Sequence, residues 1–483
     1  EEAGTLLRRF ARSVNIRERL DFSCAIFDGR GHLVANAPHI PVHLGAMGET
    51  VRDLIKQHPE IEPGQAWLSN DPAAGGSHLP DLTVVTTVCA EGHRWFVASR
   101  AHHVDVGGLT PGSMPPHSRS LEDEGIVLQH VPLLINGALR DLKDHLAGCR
   151  EPETVRADLE AQVASNAHAA RQLLKLGRPE VLTTWMAHLQ DVADEAVGEV
   201  ISRLEDGEAT DELLGVPLRL QLAPRNGALT VDLSGTGGPH EGNLNAPNAV
   251  VRAAVLFALR VLVGRPVPLN EGALRRVTLQ TPDPSIVSPP PGAAVCGGNV
   301  ETSQRLVDLF LTAAGVRAAS QGTMNNLTLG GDRDADGSSV SPWSLYETIG
   351  GGQGASRARP GPSSRQVHMT KTRATDPEVL EARLPLRLIT FARRLGSGGP
   401  GAHPGGDGIV RDLEVLTPTT ASLLATGRSV GRPGLEGGGA GQPGLDSVRK
   451  AGAWSSWDGL PIQLAPGDRV RVETPGGGGY GES

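Results

Sequence analysis

The sequence predicts a multi-lobed α+β fold, and three observations point to it. Residues 153–176 and 179–204 are rich in Ala, Leu, Glu and Arg, a helix-forming composition broken at Gly177-Arg178-Pro179. Residues 213–235 and 376–483 instead fall into short runs of alternating apolar residues between glycine-rich turns, the pattern of half-buried strands. The 62 glycines and 36 prolines follow no fixed period, so they imply many tight turns and close backbone approaches rather than disorder. A length of 483 residues is ample for a large core. The expected organisation is a mixed N-terminal lobe over 1–150, a helical hairpin over 151–206, a central α+β domain over 207–375 and a β-rich C-terminal domain over 376–483.

In chain order, a helix is expected near residues 45–58. Residues 82–89, rich in Val and Thr, read as a strand, and 95–99 as its return. Glu91-Gly92 between them suits a tight turn, because glycine tolerates positive φ. After the helical hairpin, Leu218, Leu220 and Leu222 and then Leu229, Val231 and Leu233 alternate on either side of Asn226-Gly227, a strong hairpin signal. Two capped helices follow. One starts after Asn245, with Pro247 in its first turn, and stops near Gly264; the other starts after Asn299 and ends near Gly315. Residues 384–388, 409–416, 421–425 and 469–472 read as strands, whereas 359–364, 396–406 and 431–444 read as locally loose.

Bulk properties exclude several classes. A net charge of −9 without a basic run argues against a nucleic-acid surface. Cys24, Cys89, Cys149 and Cys296 show no Cys-x-x-Cys spacing and read as reduced thiols of a cytoplasmic protein. No apolar run approaches the ~20 residues of a membrane span, and the start lacks the basic-then-apolar pattern of a secretory leader. Glu1 opens in what reads as a helix already under way, so a preceding segment is expected.

Chemistry concentrates in residues 70–113. His-x-x-Asp occurs there twice, as His78/Asp81 and His102/Asp105, and Asp71 lies just upstream. Imidazole nitrogens and carboxylate oxygens are the donors a catalytic divalent metal takes. The predicted hairpin joins the two copies. A two-residue turn places Asp81 opposite His102, and a loop one residue longer places it opposite His103. Directly opposed residues lie roughly 4.5–5.5 Å apart at Cβ, close enough to share a metal.

Other constellations are weaker. His39 and His43 are candidates to line the same pocket, with loop hydrogen bonding as the alternative; Pro38 and Pro41 keep them off one regular helix, so this is no zincin motif. Asn325 and Asn326, with Gln321 and Thr323, form an uncharged polar cluster that suits an amide or imide substrate, or else an Asx-rich turn. Gly297-Gly298-Asn299 opening a helix could receive an anion or be a plain glycine-rich cap. The Walker pattern Gly-x-x-x-x-Gly-Lys-Ser/Thr is absent, so ATP is not expected to bind this chain.

Several segments carry a family resemblance from end to end. They are Asn15-Ile16-Arg17-Glu18-Arg19-Leu20-Asp21-Phe22-Ser23-Cys24, Pro38-His39-Ile40-Pro41-Val42-His43-Leu44-Gly45, the 70–113 region, and Gly297-Gly298-Asn299-Val300-Glu301-Thr302-Ser303-Gln304-Arg305. Ala319 to Asn326, Tyr346 to Gly352, Gly405-Gly406-Asp407-Gly408 and Glu473 to Gly481 continue it in order. The chain resembles the hydantoinase B/5-oxoprolinase family, which includes N-methylhydantoinase B subunits and acetone carboxylase alpha subunits. Lys371 and Ala374 stand where the family pattern would have asparagine.

The resemblance implies a two-component, ATP-dependent hydrolase of cyclic amide C–N bonds. A hydantoinase A-type ATPase subunit would phosphorylate the carbonyl oxygen, and this chain would complete ring opening at a divalent metal, Zn, Mn or Fe, within a hetero-oligomer. His78, Asp81 and His103 are the preferred ligands, with Asp71 as a fourth or outer group. His102 and Asp105 would orient a ligand or shuttle a proton. Three alternatives stay open: a carboxylase alpha subunit acting on a ketone, a non-catalytic scaffold for the A subunit, and a stand-alone amidohydrolase.

Overall fold

The computed structural model describes residues 1–37, 40–268, 270–331 and 343–482. Two short helices, α1 (Glu2–Phe10) and α2 (Val14–Arg17), lead into an antiparallel sheet. Its strands are β1 (Phe22–Phe27), β2 (Leu33–Asn36), β3 (Ala66–Ser69), β4 (Asp81–Ala90), β5 (His93–His102), β6 (Val131–Ile135) and β7 (Ala138–Leu139), in the spatial order β2-β1-β5-β4-β3-β6-β7. The hairpin read from residues 82–99 is therefore the centre of this sheet. Glu91 and Gly92 take φ of 48° and 80°, the left-handed pair of a two-residue turn, and Ala90 faces His93.

Both faces of β4 and β5 are covered, which explains their nearly unbroken burial. Helix α3 (Pro41–Gln57) packs Met47, Val51 and Leu54 against Phe27, Val85 and Phe96 on one face. Helix α4 (Pro152–Lys175) sets Val155, Leu159 and Val163 against Leu82 and Val84 on the other. Helix α5 (Pro179–Ile201) follows the expected break and packs on α6 (Asn248–Val263). Gly45 lets α3 approach α6 closely, since a β-carbon there would lie 2.7 Å from Ala253 Cα.

Among the described residues the other strands form three further sheets. β8 (Gly207–Leu213), β9 (Val216–Arg225), β10 (Ala228–Asp232) and β11 (Val277–Gln280) make one; Asn226 and Gly227 form its left-handed turn. Its alternating leucines are buried with α6 and α7 (Ser303–Ala313). Both helix starts differ from the expected ones. Helix α6 takes Pro247 as its N-cap, while the Asn245 amide donates to the carbonyls of His240, Gly242 and Ala294. Before α7 the chain makes a π turn, Gly298–Thr302, so Asn299 lies inside a helical turn rather than at its cap.

β12 (Asn326–Gly331) and β13 (Trp343–Thr348) precede helix α8 (Pro377–Arg383). The later strands are β14 (Leu386–Arg394), β15 (Gly408–Val415), β16 (Thr419–Leu424), β17 (Leu445–Lys450), β18 (Ala453–Ser456), β19 (Ile462–Leu464) and β20 (Arg469–Glu473). They divide between two sheets, β13-β12-β16-β19 and β14-β15-β20-β17-β18. Strands from both sides of the expected 375/376 boundary thus share a sheet, because Leu327 and Leu345 bury against Leu413, Leu423 and Val470 in one core.

The segments read as loose are packed backbone instead. Gly399 N–H donates to Gly477 O at 2.9 Å, Gly406 to Gln353 O at 2.9 Å and Gly439 to Pro400 O at 2.7 Å. Polar glycine-rich chains satisfy one another here without helix or ladder. Among the described residues no helix is long and apolar enough to cross a membrane.

Candidate metal centre

The open end of the β4–β5 hairpin carries the site. Asp81 begins β4, His102 ends β5, and the two are directly opposed. His78 comes from the turn just before β4, so the shorter register brings one His-x-x-Asp and the first histidine of the other together. Asp81 Oδ1 lies 3.5 Å from His102 Nδ1, and Oδ2 lies 3.1 Å from His78 Nδ1. One ligand atom from each of His78, Asp81 and His102 falls within 4.8 Å of the others. All three side chains are buried.

His43, in the first turn of α3, joins them. Its Nε2 lies 3.2 Å from Asp81 Oδ2 and its Nδ1 lies 3.2 Å from Ser23 Oγ on β1. Both ring nitrogens are therefore engaged, and His43 orients the carboxylate. Ser77 also donates its hydroxyl to Asp81 Oδ2. Beneath them Arg100 donates to Thr83 Oγ1 at 2.7 Å, Thr50 Oγ1 at 2.9 Å and Gly75 O at 3.0 Å. Burial pushes this guanidinium down to about 10, against the pull of Asp81.

Burial alone would raise the Asp81 carboxyl, but His78 and His43 beside it, with the His102 hydrogen bond, hold it well below the usual carboxylate range. Burial lowers His102, the Asp81 contact opposing. At neutral pH the site thus offers an ionised carboxylate and a neutral imidazole, the forms a metal takes. His78 Nε2, His102 Nε2 and Asp81 Oδ1 are buried without a hydrogen-bond partner. Buried polar atoms are normally satisfied, so a buried cluster of three donors that leaves such atoms unpaired fits a cation. The donor set suits a divalent metal.

The remaining named residues lie elsewhere. His103, one position beyond His102, points to the opposite face, where its Nε2 meets Gln162 Oε1 of α4 at 2.9 Å. Asp105 anchors a loop: it accepts from Gly107 N at 2.8 Å, Gly112 N at 3.1 Å, and Arg150 Nη1 at 3.0 Å. Asp71 is partly exposed and caps a 3-10 turn through Ala73 N at 2.8 Å. Asn325 donates to Gln321 Oε1 and Ile349 O and accepts from Arg428, and Asn326 donates to Glu301 and Leu424 O and accepts from Tyr346. Both amides spend their N–H donors inside the protein and neither has one left for a substrate. His39 falls outside the described residues.

Three residues that were not read as part of the metal site join the same small cavity. Asp21, one residue before β1, faces it with a carboxylate that nothing among the described residues hydrogen-bonds. Its backbone carbonyl accepts from His102 N at 3.0 Å. Asn299, in the π turn, sets its amide 3.1 Å from His78 Nδ1. Tyr346 stacks on His102 with ring centroids 4.2 Å apart and an interplanar angle of 10°. Pairing of β1 with β5 is the signal that could have found Asp21, and it is not local in sequence. Cys24 is no rival nucleophile, because burial pushes its thiol up to about 11.

The hydantoinase B/oxoprolinase family profile matches residues 1–483. 5-Oxoprolinase 1 of Arabidopsis thaliana is 40% identical over 100% of this chain and 41% of its own length. The 5-oxoprolinase of Dictyostelium discoideum is 38% identical over 100% of this chain and 39% of its own length. The chain thus spans about two-fifths of these curated relatives. An uncharacterised protein of Methanocaldococcus jannaschii is 36% identical over 100% of this chain and 88% of its own length. The ATP-dependent caprolactamase of Pseudomonas jessenii has the same fold, with a TM-score of 0.88 at 23% identity, covering 100% of this chain and 88% of that one. Nucleotide-free acetone carboxylase superposes with a TM-score of 0.87 at 15% identity, covering 99% of this chain and 73% of that one. By its end-to-end profile match and these relatives, this chain belongs to the hydantoinase B/oxoprolinase family.

Proposed function

We propose that this chain is the ring-opening component of an ATP-dependent enzyme that hydrolyses a cyclic amide. The observation that carries the proposal is the buried triad of His78, Asp81 and His102, whose potential ligand atoms lie within 4.8 Å of one another and which leaves buried polar atoms without hydrogen-bond partners. The 5-oxoprolinase relatives support a lactam substrate, and 5-oxoproline is a five-membered lactam bearing a carboxylate. An A-type ATPase, separate or fused, phosphorylates the carbonyl oxygen; the relatives' additional length leaves room for the fused arrangement.

His78, Asp81 and His102 would hold a divalent metal, and Asp21 faces the same cavity. Such a metal supplies Lewis acidity toward a carbonyl oxygen or a water. The chain's own residues do the rest. His43 and Ser77 fix the Asp81 carboxylate, and Tyr346 holds the His102 ring by stacking. The Asp21 carboxylate, without a hydrogen-bond partner among the described residues, accepts a proton from the attacking water. Water oxygen bonds to the carbonyl carbon and the C–N bond breaks with the ring nitrogen taking a proton, leaving an acyl phosphate that a second water hydrolyses to the carboxylate and free phosphate.

Elemental analysis by plasma mass spectrometry tests this reading. Near-stoichiometric metal in the wild type and its loss in Asp81→Ala, together with loss of partner-dependent lactam hydrolysis, is the expected result. No metal after loading with Mn or Zn, or unchanged turnover in Asp81→Ala, would overturn it.

A further inference from the structure

Residues 367–371 form a wall between two cavities. Met369 and Thr370 line the metal-site cavity, while Val367, His368, Thr370 and Lys371 line a second one behind it. Thr370 belongs to both. His368 takes a left-handed φ of 51°, uncommon for a residue with a side chain, and its Nε2 is held 2.7 Å from Asp308.

The second cavity has an apolar floor of Phe257, Val261 and Leu311, and its polar wall sets Arg317 and Lys371 among neutral Gln353, Gln366 and Thr370 with no carboxylate. Arg317 is only 9% exposed, donates to Gly354 O at 3.1 Å and has no ion-paired carboxylate among the described residues. Lys371 opens at the rim with no partner among them either. Asp308, the carboxylate whose charge reaches Arg317, is already engaged by His368, by Ser320 N and by Arg432 at 3.3 Å. Burial, then the like charge of Arg359, depresses the Arg317 guanidinium; burial, then Arg260, depresses Lys371. A nearly buried guanidinium without a counter-charge is costly, and an arriving anion relieves that cost. Guanidinium also matches the planar fork of a carboxylate or phosphate.

We propose that this second cavity is a binding site for a small organic oxyanion, a carboxylate or a phosphate, held by Arg317 and Lys371. Its role, though not its binding, rests on the ring-opening function proposed above: it takes the carboxylate of a lactam acid or the phosphoryl group of the activated ring. Lys371 and Arg317 are then specificity residues a single wall away from the metal centre.

Calorimetric titration of the full chain, stripped of metal by chelation and dialysed, tests this independently of turnover. The probes are inorganic phosphate, 5-oxoproline and uncharged 2-pyrrolidinone. Saturable binding of an anion is expected, weakened about tenfold in Lys371→Gln and more in Arg317→Gln. Binding of 5-oxoproline without 2-pyrrolidinone assigns the carboxylate; binding of phosphate alone assigns the phosphoryl group. No binding of either anion, or binding indifferent to Lys371→Gln, overturns the proposal. Lys371 lies at the rim, so that variant keeps the test open should Arg317→Gln fail to fold. Metal retention measured in Lys371→Gln separates failure here from failure of the metal-centre reading.

Discussion

The mouth of the β4–β5 hairpin and the glycine-rich bundle of residues 350–361, 397–408, 431–444 and 475–481 are built on opposite principles. At the hairpin mouth, side chains carry the structure: Asp81 is surrounded by three imidazoles and a hydroxyl. In the bundle, backbones touch where side chains would be. A β-carbon on Gly354 would lie 1.8 Å from Ala318 O, and one on Gly476 would lie 1.8 Å from Ser397 O. The first region has spare valence, in the form of unpartnered side-chain atoms, whereas among the described residues no buried side-chain N or O of the second lacks a partner. Chemistry sits where the polar groups are left unsatisfied, and rigidity where every approach is filled.

The sharpest break of that comparison is Gly476→Val. It has no room to relax against backbone and should cost at least about 3 kcal/mol, seen as lost soluble yield or a collapsed melting temperature. The counterpart in the other region is Asp81→Asn, nearly the same shape without the charge. It should fold, lose bound metal by elemental analysis and drop partner-dependent turnover to background.

A subtler difference appears with pH. Because the folded Asp81 carboxyl is held below its unfolded value, its stabilisation is present above about pH 4 and is lost as pH falls through the folded value. Denaturant melts of chelated wild type should therefore weaken below about pH 4 more steeply than those of Asp81→Asn. Equal slopes would mean that the histidines do not stabilise the carboxylate. The smallest effect is expected from His103→Gln. It should retain metal and cost about 1 kcal/mol by denaturant midpoint, the worth of its contact with Gln162. Loss of metal in this variant would put the neighbouring ring, rather than His102, in the centre.

Much of the fold was legible because it is local. The Asn226-Gly227 turn, the alternating leucines around it and the break at Gly177-Arg178-Pro179 each follow from a few adjacent residues. The C-terminal strands were legible as strands, but not their division between two sheets, since partners such as β12 and β16 lie far apart in sequence. The glycine-rich segments read as loose because composition reports permissive backbone, and only packing shows that it is filled.

The sequence by itself determined the donor types, the two His-x-x-Asp copies, the hairpin joining them and membership of the family. Only the tertiary structure decided which donors meet. A strand sends successive side chains to opposite faces, so one residue of register separates His102 at the centre from His103 against α4. Distant elements then bring in Asp21, His43, Asn299 and Tyr346, while local hydrogen bonds draw off Asp71, Asp105, Asn325 and Asn326. A polar residue becomes available for chemistry when packing leaves it unsatisfied, and that balance is struck across the whole core.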